Sequence, residues 1–131
     1  MVKNNKYRVI IPADIMPLPE VHEVSAAQIL CSYFMADAQF IIRNNYKSPD
    51  LRIKDILWEL KSPTGIGKRN IERQLQIAIK QSDSIVLDAR RSKIHISKIR
   101  NKLTYQAKLT KRLKNLILIT KTGKVEIIKQ S

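Results

Sequence analysis

A chain of 131 residues with 44% hydrophobic residues is long enough for one domain with a proper core, and residues 1–131 are expected to form a single domain. The lone cysteine, Cys31, excludes an intrachain disulfide and a thiolate metal cluster; no apolar run reaches membrane-spanning length, and Met1-Val2-Lys3-Asn4-Asn5-Lys6 lacks the apolar segment of a signal peptide. The formal net charge is +14 and lopsided: from Ala89 onward thirteen Lys and Arg residues face one acid, Glu126, a field that draws polyanions by displacing their counterions, nucleic acid first and an acidic protein or anionic membrane second.

Residues 1–19 read as an extended lead-in, with a short strand at Tyr7-Arg8-Val9-Ile10-Ile11 and Pro12, Pro17 and Pro19 holding the chain out of helix. From about Glu20 to Ala36, Val24, Ala27, Cys31 and Phe34 share one helical face, and Glu20 and Glu23 sit in the first turn where they complement the helix dipole. Gln39-Phe40-Ile41-Ile42-Arg43 reads as a strand and 44–49 as a polar turn. Leu51-Arg52-Ile53 and Ile56-Leu57-Trp58-Glu59-Leu60-Lys61 form an antiparallel pair turning near Lys54-Asp55. The basic connection 62–70 does not match a phosphate loop, since no Gly stands five residues before a Gly-Lys-Ser/Thr. Lys68 and Arg69 near the next helix start suit either a nucleic-acid phosphate or a solvated loop.

That helix runs from about Lys68 to Ser82 with Ile71, Leu75, Ala78 and Ile79 inward, and Gln74 and Gln81, one heptad apart, on the edge of the same face. Ile85-Val86-Leu87 has the unbroken apolar character of a central strand. Arg90 and Arg91 just beyond it are expected phosphate contacts, because a guanidinium fork matches phosphate oxygens. A basic amphipathic helix spans about Ser97 to Leu113, and Asn115–Thr120 with Val125–Lys129 close the chain as a hairpin around Lys121-Thr122-Gly123-Lys124.

The chemistry-bearing residues converge on the central pair. With a period of two, Trp58 and Leu60 take one face of their strand while Glu59 and Lys61 take the other, and a tight antiparallel return brings Asp50 beside Glu59. Two carboxylates and an ammonium at one spot suit a divalent metal with the lysine next to the attacking water or the scissile phosphate. A solvated Glu59–Lys61 ion pair beside an ordinary Pro49-Asp50 turn fits the same residues.

Pro49-Asp50 followed by Glu59-Leu60-Lys61 resembles the PD-(D/E)XK signature of restriction-endonuclease-like nucleases. A longer series resembles the C-terminal tRNA nuclease toxin domain of contact-dependent growth inhibition (CdiA-type) proteins: Pro19-Glu20-Val21-His22-Glu23, Ala26-Ala27-Gln28-Ile29-Leu30, Trp58-Glu59-Leu60-Lys61-Ser62, Lys80-Gln81-Ser82, and Ile85-Val86-Leu87-Asp88-Ala89-Arg90-Arg91. The resemblance implies an α/β fold with a restriction-endonuclease-like mixed sheet flanked by helices in the order αβββαβαββ. It implies catalytic Asp50, Glu59, Lys61 and Gln81, and a metal, Mg2+ before Mn2+ or Zn2+, on Asp50 and Glu59 with Glu23 as a further ligand. Lys68, Arg69, Arg90 and Arg91 would bind nucleic acid, tRNA first and DNA second. An acidic immunity protein and a cytoplasmic site of action follow from the same resemblance. The other readings are a DNA endonuclease on the same residues, a metal-independent RNase of the barnase and colicin type using His22 or His95, and a non-catalytic nucleic-acid-binding module.

Overall fold

The computed structural model describes residues 6–42 and 49–131. Its elements are β1 (Val9–Ile10), α1 (Val21–Phe34), β2 (Ala38–Phe40), β3 (Leu51–Ile53), β4 (Ile56–Lys61), α2 (Asn70–Ala78), β5 (Ser84–Asp88), α3 (Ile96–Leu109), β6 (Asn115–Ile119) and β7 (Val125–Lys129). The strands form one mixed seven-stranded sheet in sequence order, so the α/β expectation holds, with β1 added at the edge. Strands β4, β5 and β6 are mutually parallel, while β3 and β7 run antiparallel to their neighbours.

Side chains alternate between two cores. On one face Leu51, Ile53, Trp58, Leu60, Val86, Ile117 and Ile119 pack with Ala26, Ala27, Leu30 and Cys31 of α1. On the other, Ile85, Leu87, Leu116 and Leu118 pack with Ile71, Leu75 and Ala78 of α2 and Ile99, Leu103 and Ala107 of α3. Because helices cover both faces, β5 is buried along its whole length and reads as an unbroken apolar run. Helix α1 touches β1, β2 and β3 and also β7, so the sheet curves around it.

Local chemistry sets the boundaries. The Glu20 backbone N–H donates to Glu23 Oε1 (2.8 Å), starting α1, and Met35 in the left-handed region (φ 51°) ends it. The β3–β4 hairpin turns on Lys54 (φ 51°) and Asp55 (φ 64°), both left-handed, as a two-residue turn between twisted strands requires. Several expected spans are shorter: β1 covers Val9–Ile10 instead of Tyr7–Ile11, β2 stops at Phe40 instead of running on through Ile41 and Ile42, α2 stops at Ala78 instead of Ser82, and α3 at Leu109 instead of Leu113. Most of the polar turn at 44–49, and Arg43 of the expected second strand, lie outside the described residues.

Candidate active site

Asp50 immediately precedes β3, at the open end of the β3–β4 hairpin. Leu51 pairs with Trp58, so continuing the register puts Asp50 across from Glu59. The Asp50 N–H donates to Trp58 O (2.9 Å) and its Oδ2 accepts the Leu60 N–H (2.8 Å), which locks the carboxylate against the β4 backbone on both sides of Glu59. Lys61, two residues on from Glu59 and on the same face, brings Nζ to 3.3 Å from Glu59 Oε2. That face is the one covered by α2 and α3, since the strand partners of Glu59 and Lys61 are Ile85 and Leu87.

Burial decides between the two sequence readings of this pair. Glu59 is 1% exposed and Asp50 4%, so the Glu59–Lys61 contact is not a solvated surface ion pair. Nor are the carboxylates solvent-facing, as a half-buried strand would leave them. Desolvating a carboxylate costs several kcal/mol even after relaxation, and burial of this kind is where functional sites concentrate. Lys61 keeps 20% side-chain exposure and forms the open side of the cluster.

The structure distributes the remaining candidates unevenly. Glu23 lines a cleft with Asp50, Phe40, Ile41 and the lead-in residues Ile15 to Pro19, but its Oε1 serves the α1 cap. Among the described residues no three His, Cys, Asp or Glu side chains are grouped to hold a metal, so Glu23 does not complete a three-carboxylate set. Asp50 and Glu59 still offer hard oxygen donors of the kind Mg2+ takes one or two at a time while keeping much of its hydration, and in that limited sense they fit such an ion. Gln81 leaves the helix: it follows α2 in a turn where its N–H donates to Ala78 O (2.9 Å). With Pro49, Leu57 and Ser82 it lines a cavity of about 500 Å3 at the starts of β4, β5 and β6, and Ser82 Oγ anchors the turn by donating to Leu57 O (2.6 Å).

Arg90 departs from the expected role. Its Nε and Nη2 donate to the Asp88 carboxylate (2.9 and 2.8 Å), Nη1 to Ser25 Oγ (2.6 Å) and Nη2 to His22 O (3.0 Å). The guanidinium is thereby committed to clamping the end of β5 onto α1, and its hydrogen bonds to Asp88 raise its pKa above the ordinary arginine value. Asp88, 0% exposed, is the buried acid that sequence reasoning passed over; its only local signal is an acid closing an apolar run two residues before an arginine. Arg91, Lys68 and Arg69 are exposed, as phosphate contacts require.

The profile of the contact-dependent growth inhibition CdiA C-terminal domain matches residues 47–125. A search of curated proteins finds no match. Among solved structures, the chain is similar to one described as a CdiA-CT/CdiI toxin and immunity complex from Burkholderia pseudomallei, with a TM-score of 0.70, 22% identity, and coverage of 94% of this chain and 98% of that one. At that identity the structural likeness speaks for the fold. The profile match spans more than half of the chain and includes Asp50, Glu59, Lys61, Gln81 and Asp88, and on it the chain belongs to the contact-dependent growth inhibition CdiA C-terminal domain family.

Proposed function

We propose that this CdiA C-terminal domain is a metal-dependent nuclease of the PD-(D/E)XK type that hydrolyses phosphodiester bonds of RNA, tRNA before DNA, in the cytoplasm of a target cell. The observation that carries the reading is Glu59, a carboxylate 1% exposed, beside the partly exposed ammonium of Lys61 and across the hairpin from the buried Asp50. A fold does not retain two buried carboxylates on neighbouring strands for stability, since apolar side chains of similar size do as well or better. Asp50 and Glu59 would hold Mg2+, or Mn2+ or Zn2+ in its place; the ion supplies Lewis acidity toward the phosphate and lowers the pKa of water. Glu59 holds Lys61 in place, and Lys61 presents its ammonium to a non-bridging phosphate oxygen where charge develops. Gln81, in the cavity at the start of β4, would orient substrate or water. The immunity partner named in the structural relative, together with the +14 charge of this chain, supports an acidic protein as inhibitor.

End-labelled tRNA and linear plasmid, incubated with Mg2+, Mn2+ or Zn2+ and again with EDTA, test the reading on a denaturing gel. Cuts at one or a few positions in tRNA, abolished by EDTA and reduced about a hundredfold or more by Lys61→Ala, are the expected result. Plasmid cleavage with intact tRNA shifts the substrate to DNA on the same residues. Activity that survives EDTA and disappears in His95→Ala moves the chemistry to the lysine-lined cleft around His95, the feature that favours a metal-independent RNase.

A further inference from the structure

A second cleft lies outside the carboxylate cluster. It has a volume of about 690 Å3 and is lined by Lys68, Lys93, His95, Lys98, Asn101 and Lys102, with no acid among the described residues that line it. Ile66 and Ile94 add apolar surface. One wall is the connection that leaves β4 directly after Lys61; the other leaves β5 after Asp88 and continues into the first turns of α3. Both walls therefore spring from the strand ends that border the proposed catalytic residues. Lys98, Asn101 and Lys102, spaced three and four apart, fall on one face of α3.

The walls are held together internally. Lys102 Nζ donates to Lys68 O and to Glu72 Oε1 (3.1 Å), tying α3 to the loop and to α2. His95 Nδ1 accepts the Ser97 N–H (3.2 Å) and caps α3, which leaves Nε2 as the ring's other polar atom. Lys68, Lys93 and Lys98 form no ion pair among the described residues, so three ammonium groups stand exposed around one concave surface at the positive end of a helix.

We propose that this cleft is a binding track for the phosphodiester backbone of a single-stranded nucleic acid segment, feeding the chain toward Lys61. The inference rests on the nuclease reading for its purpose but not for its geometry. Lysines act as point charges that follow phosphates without reading sequence. A concave groove with charge on both walls suits one strand better than the flat surface of a folded acidic protein, and Ile66 and Ile94 give a base an apolar surface on which to rest.

The test uses full-length chain carrying Glu59→Gln, a 20-nucleotide single-stranded RNA probe, and affinity measured across a salt series. Lys68→Glu/Lys93→Glu/Lys98→Glu is expected to weaken binding at low salt and to flatten the log-log salt slope by roughly 2, at about 0.7 per lost phosphate contact. Lys108→Glu/Lys111→Glu/Arg112→Glu, at and just beyond the C-terminal end of α3, serves as the charge-matched control and is expected to leave most of the slope in place. Equal slopes in the two triple variants, or a loss confined to the control, overturn the proposal. Loss of polyglutamate binding with RNA binding intact also overturns it and gives the cleft to an acidic protein. Binding that behaves as expected in a chain whose native form cuts no nucleic acid upholds the track and rejects the nuclease reading, so the two failures are separable.

Discussion

Glu59 and Lys61 touch each other, yet they do not stand in equivalent places. Glu59 is sealed between the sheet and its helices at 1% exposure, whereas Lys61 retains 20% and can turn its ammonium to water. Replacing Glu59 by Gln therefore leaves no trapped charge, while replacing Lys61 by Ala leaves a buried carboxylate without this cation. Lys61→Ala is expected to lower unfolding free energy at pH 7 by about 2 to 3 kcal/mol, at the low end for a broken buried pair because the lysine is partly solvated. Glu59→Gln is expected to change it by less than about 1 kcal/mol, with turnover lost in both variants. Urea midpoints of the two single variants and the double variant close the cycle; an additive double variant would mean that the two groups are not coupled. Pairing of these residues was legible in the period-two pattern of β4, but their burial was not. A strand shows only which residues share a face, and the cover here comes from α2 and α3 later in the chain. Arg90 was misread for a related reason: its partners Ser25 and His22 lie 65 and 68 residues away, beyond the reach of any local pattern.

Elements were legible where local chemistry is decisive. The β3–β4 hairpin follows from alternating apolar residues around a two-residue turn, although Lys54 and Asp55 are not the residues that turn favours. Both adopt positive φ, which costs an L-residue roughly 1 to 2 kcal/mol and glycine almost nothing. Lys54→Asn with Asp55→Gly is thus expected to raise stability by about 1 kcal/mol with register and activity preserved, read from the shift in denaturant midpoint. The end of α2 was not legible, because Ile79, Lys80 and Gln81 all tolerate helix. Tertiary contact ends it, through the Ser82 hydroxyl on Leu57 O. At the sheet edge, β7 is bound to α3 by the Arg100–Glu126 pair (2.8 and 2.9 Å) and by Lys129 Nζ, which donates to Ala107 O and Thr110 O near the helix C-terminus. The Arg100 guanidinium holds Glu126 below its ordinary value of 4.5. A carboxyl whose pKa is lowered on folding stabilises above its unfolded pKa and loses that contribution as pH falls through the folded one. The stability gap between wild type and Glu126→Gln should accordingly be present at pH 7, narrow below pH 4.5 and be smaller in high salt. A gap that widens on acidification would contradict the pairing.

At the scale of the whole molecule, the same central strands serve both cores. Strand β5 sends Val86 to the α1 side and Ile85 and Leu87 to the α2 and α3 side, and β6 divides Ile117 and Ile119 from Leu116 and Leu118 in the same way. Neither core can lose its packing without exposing the back of strands on which the other depends. A cavity on either side should therefore destabilise one common unit. Leu30, from α1, and Leu103, from α3, are each 0% exposed and belong to opposite cores, so Leu30→Ala and Leu103→Ala are each expected to cost about 2 to 5 kcal/mol. In both variants, tryptophan fluorescence should lose its folded signal at the same denaturant concentration as far-ultraviolet circular dichroism. Trp58 sits in the α1 core and reports only that side directly, which makes Leu103→Ala the more demanding case. If its circular dichroism transition preceded the fluorescence transition, the two faces would be separate folding units, and the carboxylate cluster on the α2 and α3 side could open while the α1 core stayed intact.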